Sequence, residues 1–380
     1  MDLSRLQKAI RSESLDGWLF CNFRHRDPLA DELLGISPDT TNTRQWFYFL
    51  PSVGKPQKIV HAIESRILDQ LPGEKAAYAS RAEMFAAIRA LDATLIGVNH
   101  SDTLQVLSYL DHATARLLES AGFQLRSSAG LIQRCVSLVE GTRLASHERA
   151  ASTLDRIVKD CWNRLSRATP PVNELDMQNW MQAALDSAGL IYDHGPLFAA
   201  GVNTSDPHYT PTGDGNAVEP DQVVQFDIWA REPDGIYADI SWVGYTGSPP
   251  SAIRELFDAV VDARDHAIEL IDTRVSAGSP VEGAEVDIAV RKRIRDGGYA
   301  GGLLHRTGHG IDTECHGRGV NLDGMEYPDV RHVKHGSLFS VEPGIYLERY
   351  GMRSEVNVVI KGETTVVTGG TPQRALLSRN

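Results

Sequence analysis

The stretch QVVQFDIWAREPDGIYADISWVGY, residues 222–245, has the pattern of a β-hairpin. Two runs rich in β-branched and aromatic residues flank REPDG, which has the composition of a turn. Asp227 and Asp239 are equidistant from Pro233, so we expect them directly opposite each other, with Cβ atoms about 4.5–5.5 Å apart. Two like charges at that separation destabilise a sheet. The hairpin therefore predicts a carboxylate pair that needs a counter-charge.

A second hairpin of the same construction is predicted in LFSVEPGIYLERYGMRSEVNVVI, residues 338–360. Glu342 and Glu355 are symmetric about Glu348–Arg349, which would be the turn. Pro343 cannot donate a ladder hydrogen bond, so its strand should lie at an edge or carry a bulge there. One acidic hairpin alone is typical of a solvated surface. Two hairpins in corresponding positions indicate a shared site.

The two hairpins occupy corresponding places in two similar halves of the chain. A pair of predicted helices precedes each hairpin, at 146–168 and 171–189 in the first half and at 251–273 and 280–298 in the second. The shorter helix of each pair opens with Pro-Val and stops at a glycine, as a glycine-capped helix does. This order predicts two halves packed about a pseudo-twofold axis, with both hairpins in one sheet and the helices behind it. Chance order in an α/β protein is the alternative.

The segment HRTGHGIDTECHG, residues 305–317, contains three histidines among glycines. Glycine inside a helix or strand costs roughly 0.5–1 kcal/mol relative to alanine, so the segment is either a tolerant surface loop or backbone drawn close to a site. A histidine from it would join the four carboxylates of the hairpins. Two divalent cations would neutralise these carboxylates, and oxygen ligands with one nitrogen favour Mn(II) or Co(II), with Zn(II) and Fe(II) as alternatives. Two such ions can acidify a shared water to hydroxide near neutral pH.

Composition places the chain among ordinary globular proteins. Of its 380 residues, 42% are hydrophobic and 23% are charged, and the formal net charge is −12. This acidic balance argues against nucleic acid and anionic membranes as partners. No stretch approaches the roughly 20 apolar residues of a membrane span, and the polar N-terminus lacks the apolar core of a signal peptide. The four scattered cysteines are typical of reduced thiols, so we expect a cytoplasmic protein.

The length of the chain predicts two domains, because it exceeds the size at which one hydrophobic core stops growing. Residues 1–130 alternate helical and strand-like pieces and predict a small α/β domain, and residues 140–380 hold the repeated halves. The fold class is therefore α/β (α+β). Within the first domain the patterns predict helices at 3–14, 81–91 and 103–121, strands at 17–20 and 94–99, and a hairpin of 46–50 with 57–62.

Together these motifs resemble the pita-bread metallopeptidases, the family of methionine aminopeptidase, aminopeptidase P, prolidase and their metal-free relative creatinase. The resemblance lies in residues 140–365 and is carried by FDIW, YADIS, GHGI, VEPG and MRSE. It implies a C-terminal pita-bread domain with pseudo-twofold αα-hairpin repeats. It also implies a smaller creatinase-like α/β domain at the N-terminus, where the likeness rests on element order. The metal ligands that it implies are Asp227, Asp239, His309, Glu342 and Glu355.

The resemblance also implies catalytic roles around the metals. Glu342 would carry a proton from water to the leaving nitrogen, in addition to holding metal. His208, in SDPHYTPTG, would stabilise the tetrahedral intermediate, and His316 would contact the substrate. His305 would line the site, and Arg353 would lie near the metal-binding carboxylates. The alternatives are structural histidines at 305 and 316, a solvent-exposed histidine at 208 and a strand-end charge at 353.

The chain departs from the family pattern at four places. The two aspartates are twelve positions apart where the family usually has eleven, and one extra turn residue would absorb this difference. Trp242 stands where many members have arginine, Asp312 replaces a glycine, and Gly317 replaces an acidic residue. None of these changes removes a metal ligand. All lie where we expect substrate preference to be set.

The resemblance implies a dinuclear metal hydrolase that cleaves Xaa-Pro bonds of dipeptides or short peptides. A prolyl nitrogen has no N–H, so the leaving group must be protonated. The alternatives are a hydrolase of another small C–N bond, as creatinase and ectoine hydrolase are, and a non-catalytic binding module on the same fold. The N-terminal domain argues against methionine aminopeptidase. A homodimer is expected, as in prolidase-like relatives, and the aromatic run RQWFYF at 44–49 has more apolar bulk than a solvated strand needs.

Overall fold

The chain forms two compact units, Met1–Val136 and Ser137–Asn380. Both contain helices and sheets, and the predicted α/β class is confirmed. None of the helices in the described part of the chain is long and apolar enough to cross a membrane. Pro171, which opens a predicted helix, lies outside the described residues. The computed structural model describes residues 2–168, 172–213 and 215–378.

The first unit is built on one mixed sheet. Its elements are α1 Leu3–Ser12, β1 Gly17–Asn22, α2 Pro28–Leu34, β2 Trp46–Pro51, β3 Gln57–His61, β4 Glu74–Tyr78, α3 Arg81–Arg89, β5 Leu95–Val98, α4 His112–Ala121, β6 Gln124–Ser127 and α5 Ala129–Ile132. The strands lie in the order β4-β3-β2-β1-β5-β6. The predicted hairpin is confirmed, because β2 and β3 are antiparallel with Phe47 opposite Ile59.

The aromatic run of β2 is buried within its own unit. Trp46 and Tyr48 pack into the core on one face of the sheet, and Phe47 and Phe49 into the core on the other. Successive side chains of a strand point to opposite faces, so both faces receive bulky rings. All four residues are at most 1% exposed. The expectation that this run has apolar bulk to spare for a partner subunit is therefore wrong.

The helix predicted over 103–121 is interrupted. A short 3-10 turn spans Gln105–Leu107, and α4 begins only at His112. The carboxylate of Asp111 accepts a hydrogen bond from the backbone N–H of Thr114, which makes Asp111 an N-cap. This capping interaction starts a new helix where the apolar spacing alone predicted a continuous one.

The second unit repeats helix, helix, hairpin, as predicted. Its helices are α6 Gly141–Arg167, α7 Glu174–Ser187, α8 Ser251–Ser276 and α9 Gly283–Asp296. The two shorter helices are followed by Gly189 and Gly298, which adopt φ angles of +68° and +92°. Such left-handed backbone favours glycine, so these glycines end the helices as the sequence indicated.

Nine strands complete the described part of this unit: β7 Leu197–Ala200, β8 Val223–Ala230, β9 Ala238–Tyr245, β10 Leu338–Val341, β11 Gly344–Tyr346, β12 Gly351–Arg353, β13 Val356–Lys361, β14 Thr364–Thr368 and β15 Leu377–Ser378. They form sheets β15-β9-β8-β7, β10-β13-β14 and β11-β12. One apolar core joins α6 and α7 to β8 and β9, and another packs α8 and α9 against β10 to β13. Each helix pair therefore covers the hairpin of its own half.

The two hairpins do not share one continuous sheet, which corrects the prediction. A single backbone bridge between Ser241 and Glu355 joins β9 to the start of β13. Beside this bridge, the side-chain amide of Asn357 forms the two hydrogen bonds that a backbone peptide group would form in a continuous ladder. It donates to the carbonyl oxygen of Asp239 and accepts from the N–H of Asp239 at 3.0 Å. The backbone of β13 is already paired with β10 on one side and with β14 on the other, so the ladder with β9 does not extend beyond this bridge.

The register of the first hairpin also differs from the prediction. Asp227 lies opposite Ser241, and Trp229 lies opposite Asp239. The centre of the turn is Asp234, one residue later than expected, and Asp234 adopts a φ of +58°. The two aspartates are therefore diagonal neighbours rather than directly opposed. They remain on the same face, because the offset along the strand is two residues.

The second hairpin has the predicted register. Val341 pairs with Val356 and Gly344 with Arg353, so the ladder is symmetric about the Glu348–Arg349 junction. The ladder is interrupted at Pro343, between β10 and β11. The missing proline N–H explains this interruption.

Candidate active site

All five predicted metal ligands converge on the seam between the two half-repeats. Donor atoms of Asp239, His309 and Glu355 lie within 4.8 Å of one another. His309 Nε2 lies 3.4 Å from Glu342 Oε1. Ser241 Oγ lies 2.8 Å from Asp227 Oδ1 and 2.9 Å from Glu355 Oε2. All five side chains are buried.

The glycines beside His309 let two backbone segments approach each other closely. A Cβ atom at Gly308 would lie 2.0 Å from the carbonyl oxygen of Ser340, and one at Gly310 would lie 2.6 Å from the backbone of Gly319. The backbone N–H of His309 donates to Ser340 Oγ at 3.0 Å. These contacts fix the histidine against the end of β10, so the segment 305–317 is a closely packed site loop rather than a tolerant surface loop.

The donor set fits a metal centre by two observations. Asp239 Oδ1 and Glu355 Oε1 are buried and have no hydrogen-bond partner among the described residues, and such orphaned acceptors are costly unless something binds them. His309 Nδ1 lies 3.2 Å from the carbonyl oxygen of Gly310, and this contact assigns the ring proton to Nδ1. The Nε2 lone pair then faces the carboxylates, as a metal-binding histidine requires.

Burial dominates the electrostatics of the carboxylates. It raises the pKa of Asp239 to about 6 and raises the pKa of Asp227 and Glu355 as well. Burial acts in the same direction on Glu342, but the imidazoles of His309 and His305 and the guanidinium of Arg353 act against it and lower the pKa of Glu342 to about 2. Cations bound among these groups would relieve the repulsion that opposes ionisation of the other three.

Arg353 supplies the counter-charge that the first hairpin requires. Its Nη2 forms an ion pair with Asp227 Oδ2, and its Nε donates to Ser241 Oγ at 3.0 Å. Nε also lies 3.9 Å from Glu342 Oε2. Arg353 is 5% exposed, so it is not a solvated charge at a strand end. A guanidinium in this position holds the orientation of the Asp227 carboxylate.

The remaining predicted histidines lie around this centre. The ring of His316 is exposed and contacts that of His309 edge-on, with centroids 4.3 Å apart. The neighbouring His309 lowers the pKa of His316. His305 is half-buried, and its Nε2 lies 2.9 Å from the hydroxyl of Tyr346. His208 is exposed, and its backbone N–H donates to Asp206 Oδ1 at 3.0 Å.

A pocket opens directly beside Asp227 and Arg353. Leu197, Pro207 and Tyr209 line it together with polar groups such as Thr204 and Gln225. His208 lies between two of the lining residues in sequence. Burial lowers the pKa of His305, and the ring of His208 is near enough to lower it further.

The sequence did not single out several residues that complete the site. Ser241 lies two residues after Asp239 on the same strand face, and this spacing is a usable signal. The thiol of Cys315 lies 3.1 Å from Asp239 Oδ2, and Tyr346 contacts both His305 and Arg353. No local pattern marks these two contacts, because they join distant parts of the chain.

Trp242 does not lie where substrate preference would be set. It pairs opposite Phe226 on the strand face away from the carboxylates. Its ring packs against the core beside α6, with the ammonium of Lys159 5.1 Å from the ring centroid. The expectation for Trp242 is therefore wrong, because alternation along β9 directs it to the helix side.

The fold and this cluster of buried carboxylates with a histidine define a candidate metal site in the second unit of an α/β chain. The model of metallopeptidase family M24 matches residues 145–362. The chain belongs to metallopeptidase family M24, as the sequence resemblance implied.

Relatives with known structures or names share different parts of the chain. The Xaa-Pro dipeptidase of Lactobacillus delbrueckii subsp. lactis is 32% identical over 165 residues, which make up 42% of this chain and 40% of that relative. The alignment thus spans about two fifths of the length of the relative. The dipeptidase PepE of Mycobacterium ulcerans has a TM-score of 0.73 and 22% identity, covering 99% of this chain and 96% of the other.

The same fold also occurs in a protein described by another role. The N-terminal domain of FACT complex subunit SPT16 from Cicer arietinum has a TM-score of 0.68 and 14% identity, and the match covers 100% of both chains. At such identities the likeness shows the fold alone. Function therefore has to be argued from the residues of the site.

Proposed function

We propose that this chain is an Xaa-Pro dipeptidase or aminopeptidase that uses two divalent cations, Mn(II) or Co(II) by preference. The observation that carries the proposal is the convergence of four carboxylates and His309, with Asp239 Oδ1 and Glu355 Oε1 left without hydrogen-bond partners among the described residues. Oxygen-rich donors with one imidazole suit these metals. The similarity to an Xaa-Pro dipeptidase supports the substrate class.

Bound divalent cations supply a Lewis acid for the scissile carbonyl and lower the pKa of water. The chain itself supplies the ligands Asp227, Asp239, His309, Glu342 and Glu355. Arg353 and Ser241 orient the carboxylates through the hydrogen bonds described above. Burial of the cluster strengthens every electrostatic interaction inside it.

Glu342 is the proton carrier in this proposal. Its carboxylate lies among the other proposed ligands, with Oε1 3.4 Å from His309 Nε2, so it is placed to accept a proton from the attacking water. Once protonated, the carboxyl can deliver the proton to the leaving group. The prolyl nitrogen, which leaves as an amine, is the acceptor.

His208 is the proposed oxyanion stabiliser. It is exposed and lies near His305, so it can approach a substrate that binds beside the metal ligands. A neutral or charged imidazole donates an N–H to the carbonyl oxygen as negative charge develops. His316, edge-on to His309, and His305, beside Tyr346, would contact the peptide on the two sides of the metal ligands.

The test is an assay of metal-reconstituted protein on matched substrates. Xaa-Pro dipeptides, longer peptides with Xaa-Pro at the N-terminus and non-prolyl dipeptides are compared at saturating Mn(II). We expect hydrolysis of the prolyl substrates and little of the controls. Preference for dipeptides over longer peptides would assign dipeptidase rather than aminopeptidase activity. Absence of prolyl cleavage by metal-loaded protein would refute the proposal.

A hydrolase of another small C–N bond is the second candidate. The observation that favours it is the altered loop beside His316, where Asp312 and Gly317 depart from the family pattern. Cleavage of a small amide in place of prolyl peptides would support this candidate. A non-catalytic binding module, the third alternative, has no need of a complete ligand set, and the convergence of all five donors counts against it.

We further propose that the protein is a homodimer that acts on small peptides in the cytoplasm. The four free cysteines, at positions 21, 135, 161 and 315, suit a reducing compartment. Sedimentation velocity at micromolar concentration tests the assembly, and a monomer would contradict it. Labelled protein in cell fractions tests the compartment.

A further inference from the structure

Each half of the second unit carries a buried carboxylate on its shorter helix that the proposed chemistry leaves without a role. Glu174 is the first residue of α7, and Asp287 lies within α9. Both are fully shielded from solvent. A buried charge is costly unless hydrogen bonds satisfy it. In both cases the loop that follows the helix supplies donors.

Glu174 fastens the loop that carries His208. Its position at the start of α7 places the carboxylate at the positive end of the helix dipole. The loop donors lie on both sides of position 208 in sequence, so the carboxylate ties the two arms of the loop together. They are the backbone N–H of Ala200 at 2.8 Å, the side-chain amide of Asn203 at 3.0 Å, the hydroxyl of Tyr209 at 2.7 Å and the backbone N–H of Asn216 at 2.8 Å.

Asp287 fastens the loop that carries His305 and His309. Its Oδ1 accepts from the backbone N–H of Thr307 at 2.9 Å and from the Thr307 hydroxyl at 2.6 Å. The carbonyl oxygen of Thr307 in turn accepts from the N–H of Glu342 at 2.8 Å. Thr307 therefore connects Asp287 to Glu342 by a hydrogen bond, and to His309 through the chain two residues further on.

Arg291 extends the same anchor by one helical turn. It forms a buried ion pair with Asp287 through Nε at 2.7 Å. Its Nη2 donates to the carbonyl oxygen of His305 at 2.6 Å. The charge of Asp287 is thus paired with Arg291, and a second nitrogen of the Arg291 guanidinium donates to the loop rather than to solvent.

We propose that Glu174 and Asp287 are positioning residues of the two half-repeats, one for each histidine loop, at helix positions about one turn apart. Glu174 holds the loop that carries His208, and Asp287 with Arg291 holds His305, His309 and Glu342 at the metal centre. The Glu174 half rests on the proposed function, because it assigns His208 to the reaction. The Asp287 half rests only on the ligand geometry.

Substitution of Glu174 should affect turnover, whereas substitution of Asp287 should affect metal binding, and this difference tests the proposal. Glu174→Gln retains the shape but replaces one acceptor with a donor. We expect kcat on an Xaa-Pro dipeptide to fall about 10-fold to 100-fold, since small displacements of a catalytic group have effects of this size, with unchanged Mn(II) affinity. Asp287→Asn should weaken Mn(II) binding about 10-fold to 100-fold, as measured by equilibrium dialysis with manganese alone.

A double-mutant cycle separates positioning from general damage. If Glu174 acts through His208, adding Glu174→Gln to His208→Ala should reduce kcat little further. Independent, multiplicative losses would overturn the Glu174 half. Equal losses of Mn(II) affinity in the Glu174 and Asp287 variants would overturn the proposal as a whole, because both residues would then be merely structural.

Asp27 provides a matched control in the first unit. It is 4% exposed and accepts hydrogen bonds from the N–H of Ala30 and the side-chain amide of Asn99. Asp27→Asn should lower the melting temperature while leaving both kcat and Mn(II) affinity near wild type. If Glu174→Gln or Asp287→Asn fails to fold, Tyr209→Phe and Thr307→Val each remove one of the same hydrogen bonds. They should reproduce the separate effects on kcat and on Mn(II) affinity, and the absence of both effects would refute the proposal.

The positioning roles can still be tested if the proposed function is wrong. If wild-type protein cleaves no prolyl peptide, the kcat comparison is made on the small amide that it does cleave. The manganese measurement on Asp287→Asn needs no substrate. An unchanged affinity there would overturn the Asp287 half whatever the enzyme hydrolyses.

Discussion

A Cβ atom at Gly317 would lie 2.7 Å from the carboxylate carbon of Asp312. The Asp312 carboxylate accepts from the backbone N–H of Glu314 at 2.9 Å and of Arg318 at 2.8 Å. A side chain at position 317 would therefore meet both the carboxylate of Asp312 and its backbone nitrogen, which lies 2.7 Å from the same Cβ position. The turn that carries His316 accordingly requires glycine at position 317.

Substitution at Gly317 should therefore destabilise the protein. We expect Gly317→Ala to lower the free energy of unfolding by about 1–3 kcal/mol, the usual cost of overpacking. Gly301→Ala is the control, because nothing lies within 4 Å of a Cβ atom there. The double variant Asp312→Gly/Gly317→Ala should remain destabilised in urea unfolding, because the backbone nitrogen of residue 312 still lies 2.7 Å from the new Cβ atom. Recovery of wild-type stability by the double variant would contradict this clash.

Metal loading should reach about two ions per chain. Four buried carboxylates, two of which have an oxygen without a hydrogen-bond partner among the described residues, need roughly that counter-charge, and ions that bind only the native state stabilise it. Elemental analysis after dialysis against manganese measures the stoichiometry, with chelator-treated protein as the control. Chelation should lower the melting temperature, and Glu355→Gln should bind fewer ions. A stoichiometry near zero for the wild type would remove the basis of the dinuclear centre.

Glu342→Gln should damage turnover more than His208→Ala does. The glutamine keeps the shape and one oxygen ligand but cannot carry a proton, and general acid–base steps contribute about 10²–10⁴-fold. Loss of one oxyanion contact costs about 10²–10³-fold, so His208→Ala should be the milder change. Steady-state rates at saturating manganese, with metal content measured for each variant, decide the order. Retention of more than about a tenth of wild-type turnover by metal-loaded Glu342→Gln would exclude its proton role.

The free energy of unfolding should decrease as the pH falls from about 6.5 to about 4, because native His147 stays unprotonated in this range. His147 Nδ1 lies 2.6 Å from the carbonyl oxygen of Tyr237, and Nε2 lies 2.7 Å from Thr368 Oγ1. Burial lowers the pKa of His147 from 6.5 to about 4. Between these values the unfolded chain binds more protons than the native one, so acidification favours unfolding by up to about 3 kcal/mol.

The variant His147→Gln isolates this effect, because glutamine does not titrate. The difference in free energy of unfolding between wild type and variant should shrink as the pH falls from about 7 to about 4. Urea unfolding at intermediate pH values measures it. A difference that stays constant with pH would show that His147 does not titrate in this way.

The sequence was sufficient where local spacing determined the geometry. The second hairpin is symmetric about Glu348–Arg349 because Pro343 and the turn leave one consistent register. In the first hairpin, several residues of REPDG can form the turn, and the left-handed backbone of Asp234 moved its centre by one position. The carboxylates still reached the site, since the resulting offset of two residues preserves the face of the strand.

Contacts between distant segments were not predictable from spacing. Asn357 takes the backbone hydrogen bonds of Asp239, while the backbone of β13 pairs with β10 and β14, so the expected single sheet is divided. The proposed roles of Glu174 and Asp287 depend on loops that fold back onto their own helices, and no local pattern distinguishes them from solvated helix acids. The sequence predicted that the four carboxylates and His309 would meet, but it did not predict the groups that hold them in place.

Strand β9 connects the two half-repeats mechanically. Its backbone meets the second half at the bridge of Ser241 with Glu355 and at the Asn357 amide, and its Val243 and Tyr245 side chains pack into the core of α8 and α9. Ions whose ligands come from both halves would add a further connection at this boundary. Hydrogen exchange should slow on manganese addition at the amides of Asp239 and Glu355, which donate across the boundary, and remain nearly unchanged in the helices behind them.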